Sequence, residues 1–121
     1  MIKVVISVRR EPGLDQAEFH RYWLKEHGPL VKSLASTTGA LRYVQSHTIA
    51  PDRNDAIQRG RGTAPPCDGI AEVWFDSLQA LADRFQTDEA RAAVRAMQQD
   101  EARFIDLSAS AVFITEESEI F

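Results

Sequence analysis

The 121-residue chain predicts an α+β fold of order βαββαβ, a four-stranded antiparallel sheet with its helices on one face. Two patterns predict it. Short β-branched or alternating segments fall at residues 1–8, 41–48, 69–75 and 109–115, the length and chemistry of strands. Between them lie stretches with apolar residues at helical spacing, near residues 16–37 and 76–104. Right-handed crossovers put both helical layers on the same side of the sheet. The length is that of one domain, read here as residues 1–121.

Each element has its own local signal. Met1 to Val8 is apolar and β-branched, a buried strand; it is too short for a membrane span, runs into Arg9-Arg10 and lacks a cleavage site, so it does not read as a signal peptide. Asp15 with Glu18 has capping-box spacing and starts a helix over about 16–26, which Gly28-Pro29 ends. A shorter helix follows to about Thr37, closed by Gly39. In the strand 41–48, Tyr43, Gln45 and His47 share one face, and Arg42, Val44 and Ser46 the other. Residues 49–68 form a long connection with two glycines and three prolines, in which Asn54 caps a short helix to Arg59. In the strand 69–75 the faces are Ile70-Glu72-Trp74 and Ala71-Val73-Phe75. Asp76 with Gln79 is a second capping-box candidate, followed by helical spacing through Phe85. From Thr87 a further helix sets Ala90, Val94, Met97 and Phe104 on one side. The tail 116–121 is acidic.

Composition narrows the function. A net charge of −4 argues against nucleic acid, whose binding draws on neutralised phosphates. No apolar run approaches the ~20 residues of a spanning helix. The single cysteine, Cys67, excludes an internal disulfide and fits a reducing cytoplasm. No basic neighbour activates Cys67, so it reads as inert. His20, His27 and Glu72 lack metal-ligand spacing, and no glycine-rich phosphate loop is present, so no metal and no cofactor are expected. Arg53, Arg59 and Arg61 read as loop solvation, and Asp100-Glu101 and Glu116-Glu117 as solvated surface.

The most informative run is Glu18-Phe-His-Arg-Tyr-Trp-Leu-Lys-Glu-His-Gly-Pro-Leu-Val31. With Asp68-Gly-Ile-Ala-Glu-Val-Trp-Phe-Asp-Ser77, it resembles the EthD-like family of the dimeric α/β-barrel superfamily. That resemblance implies a ferredoxin-like fold. It also implies a homodimer in which a second copy covers the bare sheet face, the face expected to carry Tyr43 and Trp74 among other large groups. The ligand cavity of such a protein lies between sheet and helices or inside the barrel.

Four residues are candidates for chemistry. His27 reads equally as a cation at a helix C-terminus and as a general acid/base titrating near neutrality. Tyr43, Gln45 and His47 form either a solvent-facing edge or, as favoured here, a cavity wall; the Tyr43 hydroxyl would then donate to an oxyanion and His47 would move a proton. Glu72 is either a base of raised pKa or a partner of Arg42 or Arg9 in a salt bridge. Phe19, Tyr22, Trp23, Gln45 and Trp74 are the groups expected to hold a compound beside them.

The resemblance implies a cofactor-independent enzyme acting by acid/base chemistry on a small hydrophobic cyclic or aromatic compound. Lactone isomerisation, cyclisation or dehydration of polyketide-like compounds, and oxidation of phenolics all share one demand. A proton leaves carbon or oxygen beside a carbonyl or phenol, and the oxyanion is stabilised in a dry pocket. The alternative is a dimeric binding or accessory protein that uses the same pocket without turnover. Residues 49–68 are expected to cover the mouth.

Overall fold

The structure, a computed structural model, describes residues 1–121. Four strands, β1 (Ile2–Val8), β2 (Arg42–His47), β3 (Gly69–Phe75) and β4 (Ala111–Thr115), make one sheet of order β2-β3-β1-β4 with every neighbouring pair antiparallel. The helices are α1 (Gln16–Tyr22), α2 (Gly28–Thr38), α3 (Pro51–Arg61), α4 (Leu78–Asp83) and α5 (Asp88–Glu101). Strand alternation divides the sheet. Val4, Ile6, Val8, Ala71, Val73 and Phe75 face the helices, and Val5, Ile70 and Glu72 face away.

The first helix does not stop at Gly28. Trp23–His27 form a π-helical segment that joins α1 to α2. Gly28 keeps a right-handed helical conformation (φ −53°), and its N–H donates to the Trp23 carbonyl five residues back. The wider turn tolerates Pro29, which has no N–H to offer and sits in the first turn of α2. The helix ends instead at Gly39, whose φ of 77° is left-handed. The sequence reading of His27 as a helix-end residue is thereby corrected: the imidazole sits in mid-helix, on the inner side of a π-bulge.

Capping follows the sequence at Asp15, which accepts from the Glu18 N–H at 2.8 Å, while the Glu18 side chain turns to Arg21. On α4 the cap is Ser77, one residue beyond the expected Asp76, because the Ser77 hydroxyl accepts from the Ala80 N–H. The connection 49–68 holds more helix than expected: α3 runs through eleven residues without burying any. Asn54 does not cap it; its amide donates to the Ile49 carbonyl.

The core lies between sheet and helices. Phe19, Trp23, Val8, Ala71, Phe104 and Ile105 form its buried cluster. Trp23 lies across Gly69 so closely that a β-carbon there would come within 2.5 Å of the indole and of the Ser46 carbonyl oxygen. Glycine at 69 is therefore a condition for seating Trp23 against the sheet.

Candidate active site

The cavity under the helices holds about 160 Å³. Its floor is the apolar inner face of β1 and β3, and its walls come from the π-segment, β2, the end of α4 and the last turns of α5. Trp23, His27, Tyr43, Arg84 and Glu101 all line it. No residue of 49–68 does, so the expected lid does not close over this cavity.

His27 is 4% exposed. Its Nδ1 lies 2.7 Å from Asp100 Oδ2. A carboxylate only accepts, so Nδ1 carries the proton and Nε2 presents its lone pair. Tyr22 donates to the other oxygen of Asp100 at 2.5 Å, and the His27 ring packs 5.0 Å from Phe104. Burial pushes the His27 pKa below its ordinary value, partly opposed by Asp100. The π-bulge thus delivers a neutral imidazole, fixed in one tautomer, to an apolar cavity.

Tyr43 supplies the second polar group. Its hydroxyl oxygen accepts from Gln45 Nε2 at 3.1 Å and from Trp23 Nε1 at 3.3 Å. With both acceptor positions used, its own proton is left to donate. Gln45 Nε2 also donates to the Trp23 carbonyl at 2.8 Å, which fixes the amide orientation and turns Oε1 toward His47. His47 Nε2 donates to that oxygen at 2.8 Å, and its Nδ1 meets His20 Nδ1 at 2.7 Å. No third histidine, cysteine or carboxylate joins the two rings in a metal-sized cluster.

Glu101 and Arg84 complete the polar lining. Burial pushes the Glu101 carboxyl up to about 7; Arg84 pulls it down and Asp100 pushes it further up. Arg84 stands at the C-terminal cap of α4, with its guanidinium over the rings of Phe75 and Phe85.

The candidates from the sequence separate here. His27, Tyr43 and Trp23 line one volume. Gln45 stands behind Tyr43 and Trp23 as a brace. His47 lies beyond Trp23, its ring 4.4 Å from the indole, and does not reach the cavity. Phe19 is wholly buried in the core, and Tyr22 serves Asp100. Glu72 and Trp74 lie on the opposite face of the sheet. Glu72 takes Lys3 at 2.5 Å, neither Arg42 nor Arg9. The Trp74 ring lies between Lys3 and Arg42, and its indole N–H donates to Glu117 at 2.6 Å. The reason is the period of two: Glu72 pairs with Val44 and Val5, both outward, whereas Tyr43 pairs with inward Val73. Tyr43 is likewise absent from the bare face. Asp100, Glu101 and Arg84 were not among the sequence candidates, and Asp100-Glu101 is no solvated run. A signal existed for Glu101, which occupies the gap in the stripe Ala90, Val94, Met97, Phe104.

Known proteins place this arrangement in a family. The ferredoxin-like fold is shared with an EthD family protein from Bacillus halodurans (TM-score 0.63, 19% identity, covering 98% of this chain and 100% of that one). It is also shared with a dimeric protein of ferredoxin-like fold from Bacteroides fragilis (TM-score 0.60, 11% identity, 96% and 95% covered). A conidial pigment biosynthesis dehydratase EthD of Metarhizium robertsii is 32% identical over 53 residues, which are 44% of this chain and 37% of that protein. The match thus spans little more than a third of that relative's length. The EthD domain profile itself matches residues 11–108, from the turn after β1 to the end of the last helical region, and the chain therefore belongs to the EthD family.

Proposed function

We propose that the chain is a cofactor-independent enzyme that removes a carbon-bound proton beside a carbonyl in a small hydrophobic cyclic compound, with dehydration as the reaction type. The observation that carries this reading is the His27–Asp100 pair facing an apolar cavity that also holds a free Tyr43 hydroxyl proton and a neutral-leaning Glu101. His27 Nε2 takes the proton. The electron pair moves onto the carbonyl oxygen, where Tyr43 donates a hydrogen bond. The enolate then expels a β-hydroxyl, which leaves as water with the proton of Glu101. Return of the proton from His27 to Glu101 resets the site. Asp100 is a positioning residue, holding the tautomer and offsetting the imidazolium charge. The dehydratase name of the Metarhizium relative supports this choice among proton-transfer reactions.

The experiment uses β-hydroxycyclohexanone and follows cyclohexenone by its ultraviolet absorbance. Turnover that falls in His27→Ala and in Tyr43→Phe is the expected result. Binding of the compound without turnover by the wild-type chain would instead favour the accessory-protein reading.

The assembly proposed with this site is a homodimer joined through the outer sheet face. Val5, Val44, Ile70 and Phe113 have no helix above them there, and Phe113 is 49% exposed. A second copy would cover them, as the dimeric state of the Bacteroides neighbour supports. Light scattering should return twice the chain mass; one chain mass at micromolar concentration would reject the dimer.

A further inference from the structure

Arg84 is the one charged group lining the cavity that the proposed chemistry does not use. Its Nε is buried without a hydrogen-bond partner, and no carboxylate closes an ion pair with the guanidinium. The guanidinium carbon lies over the rings of Phe75 and Phe85, 5.6 and 5.3 Å from their centroids. Aromatic rings offer the N–H edge no strong acceptor, and that edge is the fork that fits a carboxylate through two parallel hydrogen bonds. A guanidinium nitrogen withdrawn from water with no acceptor is costly, and an acceptor that arrives with the ligand removes the cost. Glu101, whose charge would favour the guanidinium, closes no ion pair with it and is itself pushed up to about 7 by burial.

The cavity sets the size of that ligand. At about 160 Å³, it is close to the roughly 150 Å³ that accommodates one benzene ring. The apolar floor of β1 and β3 suits the flat face of such a ring.

We infer that the cavity takes a single-ring carboxylate, with the ring on the β1–β3 floor and the carboxylate on the free edge of Arg84. This deepens the reading of the cavity as a substrate site and rests on it. The arrangement directs the ligand: the carboxylate end is fixed at α4, and the carbon that loses its proton is turned to His27 and Tyr43.

Isothermal titration calorimetry with benzoate and benzamide tests it, since the two differ in charge and hardly in shape. The wild-type chain should bind benzoate about 10- to 100-fold tighter than benzamide, the range of a hydrogen-bonded charge. Arg84→Met should abolish that preference while keeping benzamide binding, which also shows that the pocket is folded; Arg84→Gln serves as a second uncharged variant. Equal affinity for both compounds in the wild type, or benzoate binding unchanged in both variants, would overturn the carboxylate site and leave the cavity reading intact. Binding of neither compound would overturn both. Arg84-dependent benzoate binding beside full turnover in His27→Ala would retain the carboxylate site and reject the catalytic assignment.

Discussion

The two faces of the sheet carry the same kinds of residue and put them to different use. Each has a tryptophan, a carboxylate and a cation. On the outer face, Trp74, Glu72, Lys3 and Arg42 satisfy one another: the carboxylate holds the ammonium, whose pKa rises through that hydrogen bond, and both cations lie over the indole. On the inner face, Trp23 is core, Glu101 is pushed up to about 7 by burial, and the Arg84 Nε is buried without a hydrogen-bond partner. Residue type alone does not separate the two faces. They differ in how far packing withdraws an ionisable group from water and in which partner it supplies.

The comparison breaks most sharply through the two tryptophans. Trp23→Ala should cost roughly 3–5 kcal/mol of stability, the range for deleting a buried indole. Gly69→Ala should destabilise through the same contact, because its methyl group and the Trp23 ring cannot both be seated. Trp74→Ala should cost less, since its neighbours are charged side chains that can turn to solvent. Denaturant unfolding of the three variants checks the order; equal losses for Trp23 and Trp74 would mean that the outer face is as much a core as the inner one.

Next in size are groups of the inner face assigned to the reaction. His27→Ala should lower kcat/KM by roughly 10²–10⁴-fold, the contribution of a general base. Tyr43→Phe should lower it by about a hundredfold if its hydroxyl serves the oxyanion. Asp100→Asn should lower turnover less than His27→Ala and move the pH dependence of the rising limb, since the amide removes a charge without removing the base.

How much of this could be read from the sequence depends on which rule placed each residue. Strand alternation fixed that Tyr43 and Gln45 share a face and that Glu72 shares one with Trp74. It could not say which face of one strand meets which face of the next, because that is set by register. Pairing of Val44 with Glu72 sends Glu72 outward, and no local pattern encodes it. The aromatic helix ending in His-Gly-Pro marked the histidine that lines the cavity for an incorrect local reason, since Gly-Pro is absorbed by a π-turn rather than ending the helix. Asp100 reaches His27 across a separation of 73 residues, and only the packing of α5 against the π-segment brings them together. Arg84 carries no helical-periodicity signal at all.

Smaller effects should appear in the pH dependence. Neutral His27 is required as base, so kcat/KM should rise with pH through a value below 6.5, the ordinary histidine pKa that burial depresses. Protonated Glu101 is required as acid, so the rate should fall again through about 7. Glu101→Gln should lower the maximum and remove the falling limb. The same residue links pH to stability. Its folded pKa is raised, so the favourable contribution of its neutral form is present below the ordinary value of 4.5 and is lost as pH rises toward 7. Above that range Glu101→Gln should be the more stable chain, by on the order of 1–2 kcal/mol after allowance for partial exposure. Melting curves of the two chains that stay parallel from pH 4 to 8 would show that Glu101 is solvated.

The smallest expected effect is the sharpest test of the division between faces. Glu72→Gln should leave turnover of β-hydroxycyclohexanone unchanged, because the carboxylate lies on the far side of the sheet from His27 and is already engaged by Lys3. It should also leave the pH limits in place, since both are set by groups in the cavity. What it should alter is the outer face: Lys3 exchanges the carboxylate acceptor that raises its pKa for a neutral amide oxygen and keeps only Glu117, 3.8 Å away, as an acidic partner. If two copies meet through that face, an ammonium left with so weak a partner at the interface weakens their association, while a monomer would register almost nothing. Dilution by sedimentation equilibrium therefore separates the cases. A raised dissociation constant with normal turnover supports the outer face as an interface and the inner face as the site; turnover that falls in step with His27→Ala would show that the chemistry reaches through the sheet and that the division drawn between its two faces is wrong.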